Sequence, residues 1–413
     1  MRDVFIIGVG MTQFGKYLDR SMKSLVAEAL DETLPDAGIA KEEIQIAFVG
    51  NAAAGLVTGQ ECVRAQVVLR EYGIGGIPMV NVENACASSS TAAHLAWQAV
   101  GGGFHDCALV VGMEKLYSTD KAKTFAAFGA AVDVEFLESI KQMLKSQEKT
   151  AGADAGASGT KRSMFMDFYA MAAREHMKKY GTTKEQFAAV AAKNSWHGSL
   201  NPKAQYREAR TVEEVLASPM VAEPLTRLMC APIGDGAAAL VVASQAFIDR
   251  LRARGTPVDP VRIAASVLRT GRDRRTDEPD PVTEAARLAF AQAGIGPKDV
   301  HLVEVHDASA PAEIMIMEEL GLCAPGEAGK LVEQGQTRLG GRCPVNVSGG
   351  LIARGHPVGA TGAAQLHELT QQIRGRCGER QVKGARIGLA ENAGGAVRAD
   401  PAAIAIHILR GQA

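Results

Sequence analysis

The chain contains two similar stretches, EALDETLPDAGIAKEEIQIAFV at residues 28–49 and EAARLAFAQAGIGPKDVHLVEV at residues 284–305, which align without a gap. Each has the pattern of an amphipathic helix that ends at a glycine and is followed by a short apolar strand. A fainter pair, 89–111 and 360–389, joins a helix of small residues to another apolar strand. Strands that alternate with helices predict an α/β fold with mostly parallel sheets, here built from two pseudo-twofold-related halves.

The two halves are expected at residues 1–250 and 258–413, with a charged, proline-containing linker near 252–260. The first half is longer because it carries an insertion at about 116–228. Within this insertion, 141–163 is rich in lysine, glycine, alanine and serine and has no periodicity, which is typical of a lid or of a surface loop.

Composition narrows the function classes. Of the 413 residues, 46% are hydrophobic and 22% charged, as in soluble globular proteins. The net charge of −1 lacks the basic excess of a nucleic-acid binder, and no apolar run is long enough for a membrane helix. The 7 cysteines include no Cys-x-x-Cys pair, which argues against disulfides and a zinc site. We therefore expect a cytoplasmic protein with no metal, nucleic-acid or membrane partner.

Two local motifs point to chemistry. Cys86 lies among very small residues where a helix is expected to begin. Free amides and the helix dipole at such a place lower a thiol pKa and favour a nucleophilic thiolate, although a buried structural cysteine fits the same surroundings. His356 stands in the glycine-flanked stretch Gly355-His356-Pro357, just before another helix. Because glycines let the backbone approach a ligand closely, we expect His356 to be functional.

Two further motifs follow the repeated strands. His306 and Asp307 end the strand of the second repeat, where open α/β folds place ligands; a capping His-Asp pair is the alternative. The stretch ENAGG at 391–395 follows the last repeated strand, and its glycine amides either donate to an oxyanion or form a plain turn. By contrast, the stretch 8–13 lacks the third glycine of a dinucleotide-binding loop.

Taken together, the motifs around Cys86, His306 and His356 and the stretch DGAAA at 235–239 resemble those of thiolases, and more narrowly those of the sterol-carrier-protein type. The resemblance spans essentially the whole chain. It implies the thiolase fold, in which two similar halves form five layers, α/β/α/β/α, with a loop domain inserted in the first half. It also implies an acyltransferase that acts on acyl-CoA substrates, with coenzyme A as co-substrate.

The resemblance also implies roles for individual residues. Cys86 would attack the substrate carbonyl and form an acyl-enzyme, and His356 would take the proton of the thiol. His306 would hold a water or the substrate oxygen, and Gly394 would share a second oxyanion hole with the amide of Cys86. Apart from the resemblance, two neighbours of His356 are predicted to contact coenzyme A: Gly355 and Arg354, with solvated surface charge as the alternative for Arg354.

The chain departs from the family pattern at a second cysteine, which many members use as acid and base at the substrate α-carbon. One of its two usual positions is Ala308 here, and the other falls in Asn392-Ala393-Gly394. Either Cys86 and His356 share the proton transfer, or Glu391 or a group not evident from the sequence supplies it, or the substrate needs little help with this step. The predicted substrate-binding residues, some of them part of an apolar, aromatic acyl pocket, are Asn392, Glu391, Ala308, Met164 and Phe165.

Relatives without the second cysteine, among them the thiolase of 2-benzoylsuccinyl-CoA, tend to act with a small partner subunit that carries a zinc ribbon and an OB fold. The resemblance thus implies cleavage of a substituted, aryl-bearing β-ketoacyl-CoA with free CoA, as in the conversion of 2-benzoylsuccinyl-CoA to benzoyl-CoA and succinyl-CoA. It also implies a homodimer and such a partner subunit. The alternatives are a carbon-acyltransferase or retro-aldolase on the same fold, and a non-catalytic scaffold that binds acyl-CoA or lipid.

Overall fold

The computed structural model describes residues 1–136, 163–275, 278–398 and 400–412, together with 139 and 142. Apart from 142 and 163, the segment 141–163, expected to be a lid or loop, lies outside the described residues. The described strands are β1 (Val4–Met11), β2 (Ile46–Gly50), β3 (Met79–Val82), β4 (Cys107–Glu114), β5 (Met220–Ala222), β6 (Leu225–Thr226), β7 (Gly236–Ser244), β8 (Val261–Arg269), β9 (Leu302–Glu304), β10 (Ile387–Val397) and β11 (Asp400–Arg410). The described α-helices are Met22–Ala37, Ala54–Thr58, Arg64–Tyr72, Ser88–Gly101, Lys121–Gly129, Met164–Tyr180, Lys184–Ser199, Val212–Ala217, Gln245–Ala253, Pro281–Ala293, Ala310–Glu319, Ala328–Glu333, Gly350–Ala353 and Thr361–Ile373.

The repeat in the sequence is visible in the order of the strands. The large sheet runs β3-β2-β4-β7-β1-β8-β11-β10-β9, so equivalent strands of the two halves lie at mirrored places around the β1/β8 contact. The repeated helices Met22–Ala37 and Pro281–Ala293 end at Gly38 and Gly294, each with a φ of 67°. Glycine adopts this left-handed conformation without the strain that a side chain would cause, which is why both repeats place it there.

The expectation of mostly parallel sheets is wrong, because the large sheet is mixed. Strand β2 pairs in parallel with β3 and β4, and β9 pairs in parallel with β10. The remaining neighbours, from β4 through β7, β1, β8 and β11 to β10, are antiparallel. For β10 and β11 the physical reason is connection length, because only two residues separate these strands and parallel pairing needs a much longer crossover.

Alternate residues of the strands pack on opposite faces of the sheet. In β1, Phe5 and Ile7 join the core against the outer helix Met22–Ala37, whereas Val4 and Ile6 join the core against two central helices. The strand β11 packs in the same way against the outer helix of the second half. Helices therefore cover both sheet faces and fill the space between the halves, as the five-layered thiolase fold requires.

The two central helices, Ser88–Gly101 and Thr361–Ile373, approach each other closely. The backbone N–H of Ala363 donates to Ser89 Oγ at 3.0 Å, and a Cβ at Gly362 would lie 2.6 Å from the backbone nitrogen of Ser90. Cys86 precedes the first of these helices and His356 precedes the second. The packing of equivalent helices thus brings the two motifs side by side. Among the described residues, no helix has both the length and the apolar character to cross a membrane.

Candidate active site

Cys86 occupies a sharp turn before a central helix. It is the middle residue of a short 3-10 turn, Ala85–Ala87, and the α-helix begins at Ser88. Ala85 has a φ of 47°, a strained conformation for a residue with a side chain, of a kind that clusters at functional sites. Ser88 stabilises the turn, because its Oγ accepts from the Asn84 amide at 3.0 Å and donates to the Ala85 carbonyl at 2.6 Å.

The thiol of Cys86 is protonated at rest. Burial, aided by the negative charge of Glu114, raises the pKa of this thiol to about 12. The backbone amides of Gly395 and of Cys86 itself act in the opposite direction but are outweighed. The sequence predicted a lowered thiol pKa from the helix start. That prediction is wrong because desolvation destabilises the thiolate more than these amides stabilise it. A nucleophilic Cys86 therefore needs a base beside it.

His356 presents a neutral imidazole. Its Nδ1 lies 2.7 Å from Thr361 Oγ1, and that hydroxyl is also a donor to the Pro357 carbonyl at 3.2 Å. With the hydroxyl proton used in this way, Nδ1 carries the ring proton and Nε2 keeps its lone pair. Burial, then the neighbouring His306 and Arg354, hold the pKa of His356 well below its usual value. The ring is therefore free to accept a proton.

Cys86, His306 and His356 converge. The thiol sulfur and a ring nitrogen of each histidine all lie within 4.8 Å of one another. The two rings meet edge to face, with their centroids 5.2 Å apart. Burial lowers the pKa of His306 to about 4, and its Nε2 is buried with no partner among the described residues. The geometry suits proton transfer between a thiol and an imidazole; that the chain binds no metal stays a prediction.

Residues 391–395 of β10 lie on two different faces of the strand. The Asn392 amide group donates to the Cys86 carbonyl at 2.9 Å and to Ser90 Oγ at 3.0 Å, which turns it away from the cavity beside Cys86. Gly394 packs on the backbone of Cys86. A Cβ added at Gly394 would lie 3.0 Å from the Cys86 backbone nitrogen. The amide that reaches the thiol belongs to Gly395. Neither Asn392 nor Gly394 borders the cavity, and an oxyanion hole that includes Gly394 stays a prediction.

A cavity of about 1590 Å³ opens beside the cluster. Cys86, His306 and His356 border it together with Ala308 and Glu391, as predicted for a substrate site. Its remaining wall is largely apolar and aromatic, formed by Leu116, Phe125, Phe128, Phe165, Met166, Phe168 and Tyr169 among others. The cavity exceeds the roughly 300–1,000 Å³ of ordinary ligand pockets, which leaves room for a long thioester. Met164 does not line it, because this side chain is buried against Val132.

Neither residue predicted to contact coenzyme A borders the cavity. Arg354 is fully buried, and its Nη1 lies 3.1 Å from both Glu304 Oε2 and Ser348 Oγ. Gly355, with a φ of 105°, packs against Gln205 and Phe14. Both predicted ligand contacts are wrong. The guanidinium of Arg354 forms an ion pair inside the protein, and Gly355 allows the backbone bend before His356. Among the residues that the structure describes, the cations that do border the cavity are Arg64, Arg227, Arg274 and Arg398.

Sequence reasoning also missed the structural role of Glu114 in the site. This buried carboxylate accepts the amides of Ala52 and Ala53 at 3.1 and 3.2 Å, and the amide of Gly359 at 2.9 Å. It thereby ties the end of β4 to the turn that carries His356. A charged residue at the end of the otherwise apolar strand CALVVGME was the available signal.

Comparisons with known proteins agree with this arrangement. A family model described as "Thiolase, N-terminal domain" matches residues 4–246, and one described as "Thiolase C-terminal domain-like" matches residues 271–407. An acetyl-CoA acetyltransferase of Methanothermobacter thermautotrophicus is 40% identical over 400 residues, which is 96% of this chain and 97% of that protein. The benzoylsuccinyl-CoA thiolase subunit BbsB of Thauera aromatica is 36% identical over 405 residues, 96% of each.

Human sterol carrier protein 2 is 36% identical over 405 residues, which is 95% of this chain and 70% of that protein. Among solved structures, an Ltp2-ChsH2(DUF35) aldolase has a TM-score of 0.77 at 24% identity and covers 99% of this chain and 98% of that one. Human mitochondrial 3-ketoacyl-CoA thiolase has a TM-score of 0.71 at 19% identity, with 100% and 99% covered. At these identities, the two structures establish the fold alone.

Proposed function

The chain belongs to the thiolase family and is an acyltransferase that carries out a thiolase-type reaction of acyl-CoA, and on that premise we propose that it cleaves a substituted β-ketoacyl-CoA with free coenzyme A. The observation that carries this proposal is the convergence of Cys86, His306 and His356 on one cavity. A non-catalytic scaffold that only binds acyl-CoA or lipid does not need a thiol with an adjacent base. A retro-aldolase needs no acyl-enzyme, so the retained thiol favours the thiolase reaction over it.

In the proposed reaction, His356 takes the proton of Cys86 as the sulfur attacks the β-carbonyl. The thiol is protonated before attack, because its pKa is raised to about 12, and the imidazole is neutral because its pKa is lowered. Such a pair generates a thiolate only when substrate is present. A positioned base of this kind contributes about 10²–10⁴-fold to the rate.

Two sets of donors are available for the oxygens that become negative. His306 Nε2 is buried and has no described partner, and it would donate to one substrate oxygen in the tautomer that carries the ring proton on Nε2. The amides of Cys86 and Gly395, which already approach the thiol, are placed for the carbonyl oxygen of the acyl group on sulfur. Donors held rigidly where charge develops stabilise the transition state more than the ground state.

The cavity supports a bulky, aryl-bearing acyl group, such as the benzoyl group released from 2-benzoylsuccinyl-CoA. Phe165 and Phe168 meet edge to face at 6.1 Å on one wall, and Phe125 and Phe128 lie on another. Ala308 adds space near the reacting atoms. Arg64 and Arg227 form no ion pair with a described residue and are our candidates for the phosphates of coenzyme A.

We also propose two kinds of partner. The strand β3 lies at the edge of the sheet with Val80 and Asn81 exposed, which leaves backbone groups for the same strand of a second copy. The thiolase of T. aromatica is named as a subunit, and the name of the solved Ltp2-ChsH2(DUF35) aldolase joins a DUF35 protein to Ltp2. A small OB-fold, zinc-ribbon subunit is therefore the second partner proposed for this chain.

The test is thiolysis of a panel of β-ketoacyl-CoA esters, with products identified by mass spectrometry. Benzoylacetyl-CoA and 2-benzoylsuccinyl-CoA represent aryl substrates, and acetoacetyl-CoA represents the smallest substrate. We expect the aryl esters to have the highest kcat/KM, and Cys86→Ala to abolish turnover while Cys62→Ala, a change at an exposed thiol, has no effect. Turnover that persists in Cys86→Ala would contradict the proposal.

A further inference from the structure

One ionisable side chain beside the catalytic cluster has no part in the steps described so far. Glu391 lies on β10, is fully buried and borders the same cavity as Cys86, His306 and His356. We propose that Glu391 moves the proton at the substrate α-carbon, the step for which this site has no second thiol at either expected position. This inference rests on the proposed thiolase reaction.

The contacts of Glu391 leave one oxygen free for a substrate. Its Oε2 accepts the backbone N–H of His306 at 3.0 Å, which anchors the carboxyl next to the ring that contacts the cluster. Its Oε1 is buried and has no hydrogen-bond partner among the described residues. A buried polar atom left without a partner costs free energy and calls for an explanation. A substrate carbon acid in the cavity would supply the missing proton donor.

The surroundings keep Glu391 able to exist in both protonation states. The groups that act on it electrostatically are Asp280, Glu319 and Tyr169, besides the amide of His306. No cation among the described residues contributes to the change in the pKa of Glu391. Burial is the largest cause, and it raises the pKa of Glu391 to about 7. A general acid-base is most effective when its pKa lies near the working pH.

Two other groups in the cavity are poorer candidates. Cys230 borders the cavity beside Ala308, because Ala231 N donates to the Ala308 carbonyl at 3.0 Å. Its thiol, however, already donates to the Thr226 carbonyl at 3.4 Å, and burial raises its pKa to about 12. Burial raises the pKa of Tyr169 as well. Neither group yields an anion near neutral pH.

The proton balance closes with Glu391 in this role. In cleavage, Cys86 gives its proton to His356, the sulfur bonds to the β-carbon, and the bond between the α- and β-carbons breaks. The electron pair stays on the α-carbon, which takes a proton from the Glu391 carboxylic acid. In the second step of the reaction, the thiol of coenzyme A returns a proton to the Glu391 carboxylate and bonds to the acyl carbon. Cys86 sulfur leaves and recovers its proton from His356.

The experiment measures exchange of α-protons with solvent deuterium. The probe is 3-phenylpropionyl-CoA in D₂O, with mass spectrometry as readout. We expect Glu391→Gln to slow exchange about 100-fold or more, whereas Glu391→Asp retains part of it. The matched control is Glu213→Gln, a change at an exposed carboxyl outside the cavity. Wild-type exchange should increase as the pH rises through about 7, because only the carboxylate can remove a proton.

A second readout separates this inference from the proposed function. Benzoyl-CoA has no α-proton, so Glu391→Gln should still load Cys86 with benzoyl to the wild-type final yield, which also shows that the variant is folded. Exchange that is unchanged in Glu391→Gln, or lost in Cys230→Ala instead, would overturn the assignment to Glu391. Failure of the wild-type protein to load Cys86 would instead overturn the proposed function.

Discussion

The reactivity of Cys86 depends on a neighbour rather than on its own ionisation. With a thiol pKa of about 12, almost no thiolate exists at neutral pH without a base. His356 has the free Nε2 that this base requires, and its lowered pKa keeps the ring neutral before it takes the proton. The pair therefore differs from a site in which a helix start alone creates a thiolate, and the difference can be measured.

His356→Gln should slow the loading of Cys86 from benzoyl-CoA about 10²–10⁴-fold at pH 7. Loading of the variant should then increase about tenfold for each pH unit up to pH 9, since the thiolate fraction rises in that proportion below the thiol pKa. Wild-type loading should change little over this range, because a base of lowered pKa is already neutral. Quenched reactions analysed by intact mass provide the rates, with His105→Gln as control. A pH-independent variant would refute the role of His356.

The residues that were recognised from the sequence are those whose signal is local. Cys86 and His356 sit in distinctive runs of small residues, and both border the cavity. The amide of Gly395 and the buried pairing of Arg354 with Glu304 depend on contacts between distant segments. No pattern within one segment separates Gly394 from Gly395, or shows that an arginine beside His356 turns inward.

The two central helices set the distance between the catalytic motifs. Gly362 faces Ser90 so closely that a methyl group would lie 2.6 Å from the Ser90 backbone nitrogen. Both helices are buried on most sides and have little freedom to separate. The spacing of Cys86 and His356 thus rests on small residues in the helices that follow them.

Gly362→Ala should lower the free energy of unfolding by about 1–3 kcal/mol, because the added methyl group overpacks the helix contact. It should also slow Cys86 loading, since the two helices must shift. Gly129→Ala is the matched control, because a Cβ there meets nothing within 4 Å. Urea denaturation followed by circular dichroism measures the stability change. Equal stability of the two variants would show that the helices tolerate separation.

At the scale of elements, the repeat predicted the helix-and-strand units correctly, and both repeated helices end at the expected glycines. Strand direction was not predicted, since hydrophobic periodicity carries no information about it. Direction depends on the connections, as in the two-residue connection between β10 and β11, which is too short for parallel pairing. The long insertion between β4 and β7 also supplies much of the aromatic cavity wall, where Phe165 borders the cavity and its neighbour Met164 is buried against Val132.

At the scale of the whole molecule, the proposed dimer would form through the edge strand β3. It ends the large sheet, its Val80 is 38% exposed, and the turn that carries Cys86 begins a few residues later. An exposed strand edge is a template for pairing with another strand. A twofold dimer through β3 would support the catalytic turns of both copies.

Val80→Arg should convert a dimer into monomers, because a twofold contact places the two new cations close together and like charges across a strand pair are destabilising. Loading of Cys86 should decrease in parallel as the turn loses its support. Sedimentation velocity measures the mass, and Arg70→Lys provides a charge-conserving control. A wild-type protein that sediments as a monomer, or a variant that remains a dimer, would exclude this interface.

The central claim is that Cys86 carries the acyl group, and intact-mass analysis tests it most directly. The wild-type protein and Cys86→Ala are each mixed with benzoyl-CoA and with acetyl-CoA, quenched in acid and weighed. The account predicts a gain of one acyl group per chain in the wild-type protein, located on the peptide that contains Cys86, and no gain in the variant. No adduct in the wild-type protein with either thioester, or an equal adduct in Cys86→Ala, would contradict it.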